Sequence, residues 1–201
     1  MVNILSFPLN PQEEKKIREH LFSDETLVYP TETYYAVGCL ATSTKAVKRI
    51  YKTKKRERNK PLLVLVDSWD MLEKFTVDLA GREKDFLKQY WPGPLTAILK
   101  PSEKLSGELN RAGSGVGFRM TSSLYAQNVV RVAGVPVVGT SCNISGGKEC
   151  SDVENSIQLL GDQVSLFLDG GVTPGGLLST VIDLQGGYPP KLIREGAITI
   201  H

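Results

Sequence analysis

The sequence predicts an α/β (α+β) fold: one mixed sheet flanked by helices. Three observations lead there. Strand-like apolar runs alternate with helix-periodic segments along the whole chain, the pattern of a domain built on one mixed sheet. The run Leu62–Val66 (LLVLV) is apolar on successive residues, as a strand buried on both faces must be. The Gly/Pro-rich stretches 170–176 and 186–190 are long enough only for loops, so residues 1–201 read as a single domain.

The elements follow in order. Asn10-Pro11-Gln12-Glu13 opens a first helix, with an Asn cap, Pro in the first turn and an acid beside the positive dipole end; Ile17, Leu21 and Phe22 form its apolar stripe. A short strand over 26–29 closes at Pro30. A second helix starts after Ser43, burying Ala46, Val47, Ile50 and Tyr51 and leaving Lys48, Arg49 and Lys52 wet. Beyond LLVLV, the pattern predicts helices at 68–75, 81–90 and 122–132 and strands at 94–99, 115–119 and 135–139. A last helix begins at Ser151 or Asp152, and strands follow near 165–169, 179–184 and 191–194.

Several chemistries are excluded. The two histidines are His20, inside the first helix, and the terminal His201, which leaves no His-dependent triad or His-rich metal site. No G-x-x-x-x-G-K-[ST] loop occurs. Cys39, Cys142 and Cys150 form no C-x-x-C pair, which argues against a disulfide framework and a four-ligand zinc site and for reduced thiols packed as small apolar groups. No apolar run approaches the ~20 residues of a membrane span, and MVNILSFPLNPQEEKK has no signal-peptide pattern. The expected compartment is cytoplasmic, without membrane partners.

Charge is uneven. Residues 48–60 hold eight Lys or Arg and one Glu, +7 against a chain total of +2, so the remainder nets −5. Within this run, Lys54, Arg56 and Lys60 read either as the solvated end of a helix, where cations complement the dipole, or as a polyphosphate clamp. Three further stretches carry polar groups at strand ends, where α/β sheets bind ligands. Thr31-Glu32-Thr33 follows Pro30. Gly139-Thr140-Ser141-Cys142-Asn143-Ile144-Ser145-Gly146 follows the apolar Val135–Val138. Gly113-Ser114-Gly115-Val116-Gly117 is either a tight turn into an edge strand or a close backbone approach to a ligand. Arg119, Ser179-Thr180 and Arg194 stand at the ends of other strands.

In this order the stretches resemble the YrdC/Sua5 family of threonylcarbamoyl-adenylate synthases, in its short single-domain branch. The match rests on the PTET loop, K-x-R followed by K-P-L, WPGPLT at 91–96, G-x-R-M around Arg119, and T-S-x-N-x-S-G, and runs from the first helix to Arg194-Glu195-Gly196. The resemblance implies a YrdC-like fold, a twisted mixed sheet flanked by helices with a concave basic cleft, and a defined reaction. L-threonine and bicarbonate (as CO2) give N-carboxy-threonine, whose carboxylate attacks the α-phosphorus of ATP. Threonylcarbamoyl-AMP then passes to a tRNA threonylcarbamoyl transferase for the t6A37 modification.

By the same resemblance, Lys54, Arg56, Ser141 and Asn143 are the catalytic tetrad. ATP is held by Arg56, Lys60, Gly115, Asn143, Ser151 and Arg194, and threonine by Thr33, Arg119, Ser141 and Ser179. Mg2+ is expected with ATP, with no protein-bound metal site. Leu65 stands where some larger members have a histidine, and Tyr34, Ala36 and Val37 depart from the family's T-V-Y-G-L-G loop. Two alternatives stay open: an RNA-binding paralogue without adenylating activity, binding weakly through the basic cleft, and a related carbamoyl-adenylating enzyme.

Overall fold

The protein is described here by a computed structural model covering residues 2–200. In chain order its elements are β1 (Asn3–Ser6), α1 (Pro11–Phe22), β2 (Leu27–Pro30), β3 (Tyr35–Gly38), α2 (Thr44–Thr53), β4 (Leu63–Val66), α3 (Trp69–Phe75), α4 (Gly81–Leu87) and β5 (Leu95–Leu99). After a 3-10 turn at Gly107–Asn110 come β6 (Val116–Met120), α5 (Leu124–Ala133), β7 (Val137–Val138), β8 (Thr140–Ser141), α6 (Val153–Leu160), β9 (Leu166–Asp169), β10 (Thr180–Asp183) and β11 (Lys191–Arg194).

The predicted helices form where the caps placed them. Asn10 accepts from the backbone of Gln12 and Glu13, and Glu13 returns a bond to the Asn10 N–H, a reciprocal box that satisfies two orphan donors. Ser43 caps α2, and Asp152 caps α6. One stripe residue differs from expectation: Phe22 is 52% exposed and lies under the Arg18 guanidinium instead of in the core. It sits one position past the buried Leu21, and at 100° per residue that step already carries it off the buried face.

The α/β class holds, but the strands divide into two mixed sheets instead of one. The first runs β1-β9-β2-β3-β8 and the second β11-β10-β5-β6-β4-β7. β1, β3 and β8 were not foreseen as strands; each is at most four residues long. The division is made at Gly139. β7 pairs with β4 in the second sheet, and two residues later β8 pairs with β3 in the first. Tyr29, fully buried, ties the crossing by donating its hydroxyl to the Val138 carbonyl at 3.1 Å. A Cβ at Gly139 would lie 2.8 Å from that hydroxyl and 2.9 Å from Leu65, so glycine lets the chain pass here.

Candidate active site

Strand alternation builds the floor of a cleft between the sheets. On β5, β6, β4 and β10, every second residue faces one side: Thr96 and Ile98, Gly117 and Arg119, Leu63 and Leu65, and Val181. Register places them side by side, with Val181 opposite Thr96, Leu65 opposite Arg119 and Ile98 opposite Gly117. The intervening Ala97, Phe118, Val64 and Ile182 are fully buried on the other face. The resulting cavity has a volume of about 510 Å³ and is closed on its far side by the 31–34 loop with the start of β3 and by Gly139–Ser141.

One corner is built around Arg119, which is 6% exposed. Its Nε donates to the Gly93 carbonyl at 3.1 Å, and its guanidinium forms an ion pair with Glu32. Burial draws its pKa down to about 10. Thr121 donates to the other Glu32 oxygen at 2.7 Å, fixing that carboxylate. Nearby, Thr96 and Ser179 share a hydroxyl contact of 2.9 Å, and Arg194 donates to the Ser179 carbonyl at 2.7 Å. Cation, carboxylate and hydroxyls therefore converge on a space suited to a small zwitterion.

The other end is formed by Arg56 and Ser141. α2 ends at Thr53 with Lys54 as its C-cap, Lys55 turns left-handed (φ +48°), and the Arg56 N–H returns to the Tyr51 carbonyl at 2.9 Å. This closing turn throws Arg56 to the cleft wall, where its guanidinium donates to the Pro61 carbonyl at 2.9 Å. Burial lowers its pKa.

Lys54 does not sit at a wet helix end as expected; it is 1% exposed. The Ser145 N–H bonds the Lys54 carbonyl at 3.0 Å, which draws the 139–147 loop over the helix end and encloses the side chain. Its ammonium donates to the Asn143 carbonyl at 2.9 Å, to Asn143 Oδ1 at 2.6 Å and to the Ser141 carbonyl. Burial first, then the Arg56 charge, pull its pKa down to about 8. Asn143 is committed in the same network, accepting from Ser141 Oγ at 3.0 Å and donating to Gly147 at 2.7 Å.

Of the residues singled out in the sequence, Thr33, Arg56, Gly115, Arg119, Ser141, Ser179 and Arg194 all line the cleft. Lys54 and Asn143 lie beneath its wall and hold Ser141 in place. Lys60 and Ser151 are not in the lining. Lys60 is exposed and pairs with Glu57 at 3.2 Å, and Ser151 turns to Asp152 at 3.3 Å. Gly115 leads into a central strand, not an edge, and its N–H is already donated to Asn110 Oδ1 at 2.9 Å. The partnership of Glu32 with Arg119 and the place of Thr96 in the floor had no assignment from sequence, although both lie in the quoted PTET and WPGPLT pieces.

The family model described as Telomere recombination, Sua5/YciO/YrdC, matches residues 19–196. The chain belongs to the Sua5/YciO/YrdC family. Threonylcarbamoyl-AMP synthase of Bacillus subtilis (strain 168) is 35% identical over 181 residues, 89% of this chain and 52% of that protein. The crystal structure of P. abyssi Sua5 complexed with L-threonine superposes with a TM-score of 0.88 at 28% identity, covering 98% of this chain and 57% of that one. For E. coli YciO the TM-score is 0.86 at 27% identity, covering 100% and 98%. The chain thus spans about half the length of the Bacillus relative and nearly all of YciO.

Proposed function

We propose that this family member is a threonylcarbamoyl-AMP synthase. The observation that carries the reading is the pairing, in one cavity of about 510 Å³, of a corner suited to an amino acid (Arg119, Thr96, Ser179, Thr33) with two further cations, Arg194 beside Ser179 and Arg56 at the other end. That volume falls within the range of roughly 300–1,000 Å³ usual for small-molecule sites. Threonine binds with its carboxylate on Arg119, and its amine adds to CO2 with loss of a proton, giving a carbamate. One carbamate oxygen then forms a bond to the α-phosphorus of ATP as the bond to the β-phosphate oxygen breaks, and pyrophosphate leaves.

The carbamate is already an oxyanion, so the attack calls for alignment and charge neutralisation instead of a side-chain base. Arg56 and Arg194 supply charge along the phosphates. Ser141, held by Lys54 and Asn143, supplies a hydroxyl at the junction of the two substrates. Magnesium enters as part of MgATP. Among the described residues no group of three or more His, Cys, Asp or Glu could hold a metal ion, and Glu32 is already engaged by Arg119 and Thr121. The product is a reactive mixed anhydride, which suits direct transfer to a tRNA-modifying transferase acting at adenosine 37.

The RNA-binding alternative has less support. Lys48, Arg58 and Arg111 converge on Glu108, Arg49 pairs with Glu25 and Lys60 with Glu57, so four of the eight cations in the basic run are held against carboxylates. The reading is tested by supplying threonine, MgATP and isotopically labelled bicarbonate, with mass spectrometry of the products. A labelled threonylcarbamoyl-AMP is expected; ADP, or AMP without the labelled adduct, contradicts it.

A further inference from the structure

Two cysteines flank the loop that carries Asn143. Cys142 is fully buried and Cys150 is 6% exposed; both are free thiols. The Cys150 N–H bonds the Cys142 carbonyl at 3.2 Å, and Tyr35 clamps the pair, accepting from Cys142 N–H at 2.7 Å and donating to the Cys150 carbonyl at 2.9 Å. The two thiols are near enough that each shifts the other's pKa, and Ser156 lies close to both. A direct backbone bond of this length sets the two residues side by side, as a disulfide, which bridges Cα atoms roughly 4.4–6.8 Å apart, requires.

We propose that Cys142 and Cys150 are a redox modification site, a dithiol that closes to a disulfide and thereby controls the Ser141–Asn143 loop. The reactive member is Cys150. It is the more exposed of the two thiols, and the neighbouring Cys142 holds its pKa below the usual thiol range. With a peroxide as oxidant, the Cys150 thiolate attacks one peroxide oxygen, the O–O bond breaks, and a sulfenic acid and hydroxide form. The Cys142 sulfur then attacks the Cys150 sulfur and loses its proton, water leaves, and the S–S bond is made. The balance is two thiols and one hydrogen peroxide giving one disulfide and two waters.

The consequence follows from what Cys142 is attached to. Its neighbours Ser141 and Asn143 are held by contacts of 2.6–3.0 Å to Lys54 and to each other. Contracting the thiol contact to the roughly 2.05 Å of a disulfide pulls on that frame, and displacements near 1 Å at a reacting centre cost up to about 100-fold in rate. This part rests on the synthase reading; the cross-link itself does not.

The test uses the full chain treated with hydrogen peroxide, denatured, alkylated and mapped by peptide mass. The reduced protein takes three alkyl groups, and the oxidised protein takes one, at Cys39, with a Cys142–Cys150 cross-linked peptide. Threonine-dependent pyrophosphate release falls at least tenfold on oxidation and returns with dithiothreitol. Cys150→Ser and Cys150→Ala, two variants so that a folding defect in one is not decisive, keep the reduced rate and resist peroxide reversibly. Three labels after oxidation, or oxidation of Cys150 to the sulfinic acid without a cross-link, overturns the site. A cross-link with unchanged turnover overturns the control. If the reduced protein lacks turnover, the synthase reading has failed, while the peptide map still decides the cross-link.

Discussion

Lys54 Nζ lies 2.6 Å from Asn143 Oδ1, and the same ammonium also reaches the Asn143 and Ser141 carbonyls. The cation is a strut: it gathers three oxygens beneath the cleft wall, of which the Asn143 carbonyl has it as donor while Asn143 Oδ1 and the Ser141 carbonyl also accept from Ser141 Oγ and the Asn143 N–H. Lys54→Ala removes the strut and leaves a cavity, with a cost of about 3 kcal/mol in folding stability and loss of turnover. Lys54→Met keeps the volume and loses the bonds, so it recovers part of the stability and none of the turnover. Urea unfolding of both variants checks this.

The same residue sets a pH dependence. Its folded pKa, about 8, lies below its ordinary value of 10.5. Between those two values the unfolded chain binds one more proton than the folded one, so this group makes stability rise with pH across that window. Below about pH 8 both states are protonated and the contribution is flat. Turnover runs the other way, because a neutral amine grips the three oxygens less strongly. Stability measured from pH 7 to 10.5 is expected to show a rising component in the wild type that Lys54→Met lacks.

Arg56 has the opposite character, standing at the cleft wall on a turn whose geometry is made by backbone bonds. Arg56→Ala is expected to lower turnover at least 100-fold, the scale of a lost electrostatic stabiliser, while unfolding shifts by less than about 1 kcal/mol. A stability loss as large as that of Lys54→Ala would make it a second strut.

Arg119 separates the two substrates. A guanidinium grips a carboxylate by two parallel bonds, and lysine keeps the charge without the fork. Arg119→Lys is expected to cost on the order of 2 kcal/mol, roughly a 30-fold rise in the threonine requirement, and to leave ATP affinity unchanged. Calorimetric titration with each ligand separately checks it. Weakened ATP with intact threonine would make Arg119 a phosphate ligand.

Gly115 has φ +80°, and a Cβ there would meet Gln185 and Ile98 at 2.5–2.7 Å. Gly115→Ala is therefore strained twice. A loss of about 2 kcal/mol, or roughly 4–8 °C in Tm for a chain this size, is expected by scanning calorimetry.

Local signals in the sequence were sufficient for the helix starts at Asn10 and Ser43 and narrowed the last to Ser151 or Asp152, because a cap is a contact within three residues. They also placed Arg56, Arg119, Ser141 and Ser179 at element ends, where strand alternation or a closing turn does the rest. What failed was long-range. The passage from one sheet to the other at Gly139 depends on Tyr29, more than a hundred residues earlier. The burial of Lys54 depends on Ser145 folding back over α2. Glu32 meets Arg119 only because two different sheets face each other, and no spacing along the chain encodes that. Cys142 and Cys150, eight apart with no cysteine spacing motif to mark them, are brought together by Tyr35.

The most direct measurement of the central claim is pyrophosphate release from MgATP, with threonine and bicarbonate omitted in turn. Release only when both are present, with AMP as the nucleotide product after hydrolysis, is the predicted result. Equal release without threonine, or ADP in place of AMP, would contradict the assignment of this cleft to threonylcarbamoyl-AMP synthesis.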